Sequence, residues 1–291
     1  MAFDGFETRR IETSACGINM VVGGSGPPLL MVHGYPQTHF MWHKVAPAVA
    51  EHFTVIAPDL RGYGDSGHPP DGDNHSGYSK RAMARGLVEV MAALGFEHFN
   101  LVGHDRGGRV AHRLTLDHRD RVEKVCVLDI APTRWVFADT DQALATAYHH
   151  WFFPIQRAPY PETMIGHDVE FYLRSMMMRW GTGDEAITAE AFAEYLRCFS
   201  KPETIHATCE DYRAAATIDL DHDAGDQDTK IACPMQALWG KKAVMEKRYD
   251  VLAVWREHAK TVSGRAIACG HFIPEEAPEA TVAALLTFFK G

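Results

Sequence analysis

The sequence predicts an α/β fold: a mostly parallel sheet flanked by helices, with a helical cap inserted into it. Three observations predict it. Short apolar, β-branched runs bounded by Gly, Pro or Asp recur along the 291 residues, as expected of strands buried on both faces. Several of these runs are followed by stretches with apolar residues at helical spacing, and strands alternating with helices imply parallel pairing. Between residues 134 and 228 no strand-like run occurs, while aromatic and methionine residues recur at helical spacing.

Taken in order, strands are expected at residues 18–22, 29–32, 54–57, 99–102 and 125–128, with helices over 81–94 and 108–116. The insertion carries Phe171, Tyr172, Met176 and Met178, then Phe192, Tyr195, Leu196 and Phe199, and it ends in an acidic, polar stretch, 219–228. Strand-like sequence resumes at Ile231, with strands at 235–239 and 265–268, a helix over 246–255 and a closing helix over 279–289. The chain therefore divides into core segments 1–133 and 229–291 and a helical cap, 134–228.

Composition excludes several classes of function. Lys and Arg number 29 against 38 Asp and Glu, a net charge of −9, which argues against non-specific binding to nucleic acid or to anionic membrane. Asp4, Glu7, Arg9, Arg10 and Glu12 interrupt the first twenty residues, so no signal peptide is expected. The longest apolar candidate, 280–289, is short and broken by threonines, well under the roughly 18 apolar residues of a membrane span. Cys16, Cys126, Cys198, Cys209, Cys233 and Cys269 form no C-x-x-C pair. They read as reduced thiols of a cytoplasmic protein, with no metal site and no cofactor implied.

The most informative stretch is Leu101-Val102-Gly103-His104-Asp105-Arg106-Gly107-Gly108-Arg109. An apolar strand runs through G-x-nucleophile-x-G into a helix, the pattern of the α/β-hydrolase elbow. Glycines flank the central residue because the tight turn leaves no room for Cβ atoms beside it. Taken alone, the stretch also suits a glycine-rich turn with an Asp N-cap. His33-Gly34-Tyr35-Pro36 after one strand and Asp59-Leu60-Arg61-Gly62-Tyr63-Gly64-Asp65-Ser66 after the next make the hydrolase arrangement specific.

The central residue is an aspartate, and this changes the chemistry. A carboxylate is already ionised at neutral pH, so Asp105 can displace a leaving group from an sp³ carbon and form an ester. Water activated by a histidine must then hydrolyse that ester, with backbone N–H groups holding the oxyanion. Those donors are expected to be the N–H of Arg106 and of Tyr35. His271, in Gly270-His271-Phe272, is the one histidine that follows the last expected strand. Asp129 follows strand 125–128, whereas the loop after 235–239 offers no acid before Glu246. Position therefore favours Asp129 as the acid that orients His271, although a structural Asp at the strand end fits the same place.

Arg106 and Arg109 lie three residues apart at the start of the helix leaving the elbow and share one face. Two guanidinium groups at a helix N-terminus attract anions. They either pair with Asp105 or a structural carboxylate, or they hold a substrate carboxylate in bidentate geometry against the repulsion of Asp105.

Over essentially its whole length the chain resembles the fluoroacetate (haloacetate) dehalogenases. The resemblance is carried by HGYP, where the family has HGFP, and by DLRGYGDS, LVGHDRGGR, VLDI, HHWFF, DYRAAATIDL and CGHF. It implies Asp105 as nucleophile, His271 as base, Asp129 as its partner and Arg106 and Arg109 as the clamp on the substrate carboxylate. It also implies a halide pocket of His150, Trp151 and Tyr212, although residues alone leave these open, since HHWFF equally suits a packed core. Fluoride is a poor, strongly hydrated leaving group, so N–H and O–H donors are what its departure requires. The family suggests a homodimer, a small haloacid as substrate, and no metal or organic cofactor. Tyr35 for Phe and Cys269 for Gly are departures from its pattern.

Three other readings stand beside this one. An epoxide hydrolase would use two cap tyrosines, from among Tyr148, Tyr160, Tyr172, Tyr195 and Tyr212, but gives the arginine pair no role. A haloalkane dehalogenase usually has Trp where Arg106 stands. A catalytically inert ligand receptor of the same fold would usually have lost a triad member, and all three are present.

Overall fold

The computed structural model describes residues 2–183 and 186–291. Eight strands form one sheet: β1 (Glu7–Glu12), β2 (Gly17–Gly23), β3 (Pro28–Val32), β4 (Thr54–Pro58), β5 (Phe99–His104), β6 (Val122–Leu128), β7 (Met235–Gly240) and β8 (Val262–Ile267). Their order is β1-β2-β4-β3-β5-β6-β7-β8. β1 pairs antiparallel with β2, and β2 with β4, while β4, β3, β5, β6, β7 and β8 run parallel.

Side-chain alternation sends each central strand to two cores. Leu30 and Val32 of β3 join Met83, Leu87, Val110, Leu114 and Trp255 on one face. Leu29 and Met31 join Trp42, Val49, Leu285 and Phe289 on the other. Both faces are thus covered, which is why these strands read as continuous apolar runs. The parallel strands deliver β3, β5, β6 and their following loops to one edge of the sheet, where an α/β architecture places its ligands.

Between β6 and β7 the described residues form eight helices, from Thr133 to Gly225. Their apolar residues Tyr148, Trp151, Leu173 and Phe199 belong to the same buried cluster as the sheet residues Leu101 and Val127, so the insertion and the sheet share a core.

Three elements differ from expectation. β1 was not expected: it is an exposed edge strand of sequence ETRRIE, and its polar residues carry no apolar signal. The stretch 219–228 is not merely a polar tail, for Ile218–Gly225 is a helix whose Asp219 faces Lys80 while Asp223, with nearby Asp226, binds Arg113. The helix expected over 246–255 is two, Val244–Arg248 and Val251–His258, because the Asp250 side chain accepts the Ala253 N–H (3.0 Å) and starts a new helix. All six cysteines are free. Among the described residues no helix is long and apolar enough to cross a membrane.

Candidate active site

β5 ends at His104, and the helix Asp105–Asp117 begins directly after it. Asp105 has φ +44°, a left-handed conformation that costs a non-glycine residue on the order of 1–3 kcal/mol and is characteristic of functional sites. The flanking glycines make this turn possible. A Cβ on Gly103 would strike the Gly107 carbonyl, and one on Gly107 would strike the carbonyls of Val32 and His33. A Cβ on Gly34 would lie 2.7 Å from the Asp105 Cβ, so the loop after β3 also abuts the elbow. That loop is fixed by His33, whose Nε2 accepts the Leu60 N–H (2.9 Å). The proton therefore sits on Nδ1, which donates to the Gly34 carbonyl (2.9 Å). Held in this way, the Tyr35 N–H donates to Asp105 Oδ2 at 3.0 Å, as an oxyanion donor must.

His271 and Asp129 meet from separate strands. His271 Nδ1 donates to Asp129 Oδ2 (2.6 Å), and the Gly240 N–H donates to Asp129 Oδ1 (2.9 Å). Glu246, the first acid after β7, instead accepts the Trp239 indole N–H. Burial would lower the His271 pKa, but its bond to Asp129 and the charges of Asp129 and Asp105 outweigh burial and raise it. Burial would likewise raise the Asp105 pKa, but the charges of His271, His104, Arg109 and Arg106 outweigh it and lower the value, keeping Asp105 ionised. Asp105, Asp129 and His271 line a cavity of about 160 Å³ together with His150, Trp151 and Trp180.

The two arginines are both buried and both partly engaged. Arg106 donates from Nε and Nη2 to the Asp211 carboxylate (3.0 and 2.6 Å) and from Nη2 to the Asp211 carbonyl (2.7 Å). Its Nη1 is buried without a partner. Lys80 and Tyr63 also donate to Asp211. Arg109 Nη1 donates to the Ala131 carbonyl (2.8 Å) and Thr133 Oγ1 (3.1 Å), and its Nε is buried without a partner. The guanidinium of Arg106 lies 4.2 Å from the Tyr212 ring and that of Arg109 4.4 Å from the Trp151 ring. The choice left open by the sequence is therefore not exclusive: Arg106 pairs with a structural carboxylate, Asp211, and each arginine still holds a buried N–H in reserve.

His150, Trp151 and Tyr212 come together, with ring centroids 6.0 Å apart for His150 and Tyr212 and 6.5 Å for Trp151 and Tyr212. His150 Nδ1 and the Tyr212 hydroxyl are buried without partners. Of the other tyrosines, Tyr160 is exposed. Tyr172 accepts from the Tyr35 hydroxyl (2.9 Å), and Tyr195 donates to Glu275 (3.1 Å). Tyr148 lines the cavity. Sequence reasoning missed Trp180, whose ring lies 4.3 Å from His150 and whose indole N–H is buried without a partner. A lone tryptophan at a helix end carries no signal for a place in the cavity wall. The departure at Tyr35 leaves its backbone donor in place, and Cys269 is a buried thiol.

The model of the alpha/beta hydrolase fold matches residues 27–278. A fluoroacetate dehalogenase of a Burkholderia species is 43% identical over 99% of this chain and 95% of its own length. A soluble epoxide hydrolase of Corynebacterium sp. (strain C12) is 36% identical over 94% of this chain and 93% of its own. Among solved structures, a protein of Nostoc sp PCC 7120, described only as an alpha/beta hydrolase, is 57% identical with a TM-score of 0.97 over 99% of both chains.

Proposed function

This chain belongs to the alpha/beta hydrolase fold family, and from that premise we propose that it dehalogenates haloacetates, fluoroacetate included, by hydrolysis through an ester on Asp105. The observation that carries the proposal is a charge arrangement: two buried arginines, each with an unpartnered N–H, whose charges act on the ionised Asp105, itself on the wall of a small cavity. Two anions about 4 Å apart repel by about 4 kcal/mol at an effective dielectric of about 20, so a carboxylate substrate needs cations of this kind to approach Asp105. A neutral substrate, which brings no charge of its own toward Asp105, gains less from them.

In this proposal the Asp105 carboxylate attacks the carbon bearing the halogen. A C–O bond forms, the C–X bond breaks, and halide leaves with the bonding pair toward the His150 N–H, the Trp151 indole N–H and the Tyr212 hydroxyl. The neutral ester replaces the Asp105 charge. Water then attacks the ester carbonyl carbon while His271 Nε2 takes its proton, and Asp129 stabilises the resulting imidazolium. The oxyanion rests on the N–H groups of Tyr35 and Arg106. Collapse expels the hydroxyacid, whose hydroxyl oxygen takes the proton from His271, and Asp105 releases the water's second proton to solvent, which restores its carboxylate. The high identity to a fluoroacetate dehalogenase supports this reading.

Epoxide opening is the second reading, favoured by the epoxide hydrolase relative and by Tyr148, which lines the cavity. Halide release from fluoroacetate and chloroacetate, measured beside hydrolysis of a small epoxide, separates the two. The proposal expects halide and glycolate from the haloacetates. Diol formation without halide release rejects it.

A further inference from the structure

The loop that carries His271 is held by a side chain with no part in the chemistry above. Glu276 folds back so that its carboxylate accepts four hydrogen bonds. Oε1 accepts the Phe272 N–H (2.9 Å), and Oε2 accepts the Gly270 N–H (2.8 Å). Oε2 also accepts the Thr182 N–H (3.1 Å) and hydroxyl (2.7 Å). Gly270 and Phe272 are the chain neighbours of His271, so one carboxylate grips the backbone on both sides of the base. Thr182 lies in the inserted helical segment, two residues beyond Trp180, whose carbonyl accepts the His271 N–H (2.9 Å). From the elbow side, His104 Nε2 lies 2.8 Å from the His271 carbonyl. A Cβ on Gly270 would lie 2.8 Å from the Trp180 carbonyl and 2.9 Å from Glu276 Oε1, so the glycine is what admits the clasp.

We infer that Glu276 is a positioning residue that fastens the His271 loop to Thr182 of the cap, so that the base stands in register over the Asp105 ester only while the cap is seated. The inference rests on the haloacetate reading, because it concerns the second step of that reaction. Bonds to a carboxylate are roughly twice as strong as neutral ones, and four of them converge here on three residues. The first step needs Asp105, the arginines and the halide donors, none of which Glu276 touches. Hydrolysis needs the His271 ring placed to strip a proton from water, and a misplacement of about 1 Å can cost about a hundredfold. Loss of Glu276 therefore slows ester hydrolysis and spares alkylation, a division that a general loss of stability does not produce.

The test is the fraction of enzyme carrying the ester while turning over chloroacetate and fluoroacetate, read as intact mass after quenching. His271→Asn is the reference for complete trapping. Glu276→Ala is expected to slow ester hydrolysis by about tenfold to a hundredfold, with a burst of one halide per site and an ester fraction well above the wild type. Glu276→Gln preserves the shape and one acceptor and is expected to move in the same direction by less, which keeps the test open if the alanine variant folds poorly. Thr182→Ala, which removes one of the two bonds to the cap, is expected to raise the ester fraction slightly. Glu276 variants in which both steps fall together, or in which the ester fraction stays at the wild-type level, overturn the inference, and a Thr182→Ala enzyme indistinguishable from wild type overturns the link to the cap. Absence of ester in His271→Asn as well overturns the haloacetate reading itself, and this inference with it.

Discussion

Asp105 sits at φ +44°, between glycines that cannot accept a Cβ, and this steric requirement is local enough to be read from five consecutive residues. The same holds for His33, Tyr35 and Asp129, each placed by the strand that precedes it. The partner of Arg106 is not legible in this way. Asp211 lies 105 positions further on, inside a helix of the cap, and no spacing rule connects the two. Its presence assigns different work to the two arginines. Arg106 spends two nitrogens on Asp211, whereas Arg109 makes only neutral hydrogen bonds, and in the proposed function its charge serves an incoming carboxylate. Arg109→Leu is accordingly expected to reduce kcat/KM for chloroacetate by about a hundredfold or more, as befits a lost charge-assisted contact of about 3 kcal/mol, while the melting temperature falls by only a few degrees as the buried Ala131 carbonyl and Thr133 hydroxyl lose their donor. Steady-state kinetics with calorimetry checks this; near-full activity removes Arg109 from substrate binding.

At the scale of elements, the site depends on how the loop after β3, the cap and the segment after His271 are joined. Glu275 makes one such junction. Gln37, from the loop after β3, and Tyr195, from the cap, both donate to its buried carboxylate, and Lys44 donates to its carbonyl (2.9 Å). Burial raises the Glu275 pKa from the ordinary 4.5 to about 8, against the opposing influence of Tyr195, Lys44 and Gln37. The folded state thus holds a proton that the unfolded chain has released, so stability falls as pH rises from 4.5 through about 8 and levels off above it. Glu275→Gln cannot titrate, and its melting temperature is expected to decline less than that of the wild type across that window. Parallel declines in a pH series of thermal melts contradict this origin. Such junctions escape sequence reading because each joins residues far apart in the chain. β1 escaped for another reason, since its exposed ETRRIE carries no apolar alternation, and the break at Asp250 lay inside a stretch whose apolar periodicity alone suggests one helix.

For the whole molecule, a net charge of −9 coexists with two buried arginines whose charges act on Asp105. In the proposed function those local cations govern recognition, because screening over about 8 Å at physiological ionic strength leaves distant surface acids contributing little. The sheet and the inserted helices share one apolar cluster, a join that the sequence announced only as a change of periodicity. The central claim is that Asp105 itself attacks the halogen-bearing carbon. It is tested most directly by a single turnover of fluoroacetate, with enzyme in excess, in water enriched in heavy oxygen. Water attacks the ester at the Asp105 carbonyl, so the label is expected in the Asp105 carboxylate, with none in the glycolate released. Glycolate carrying the solvent oxygen from an enzyme whose Asp105 remains unlabelled would show that water attacks the substrate directly, contradicting the account.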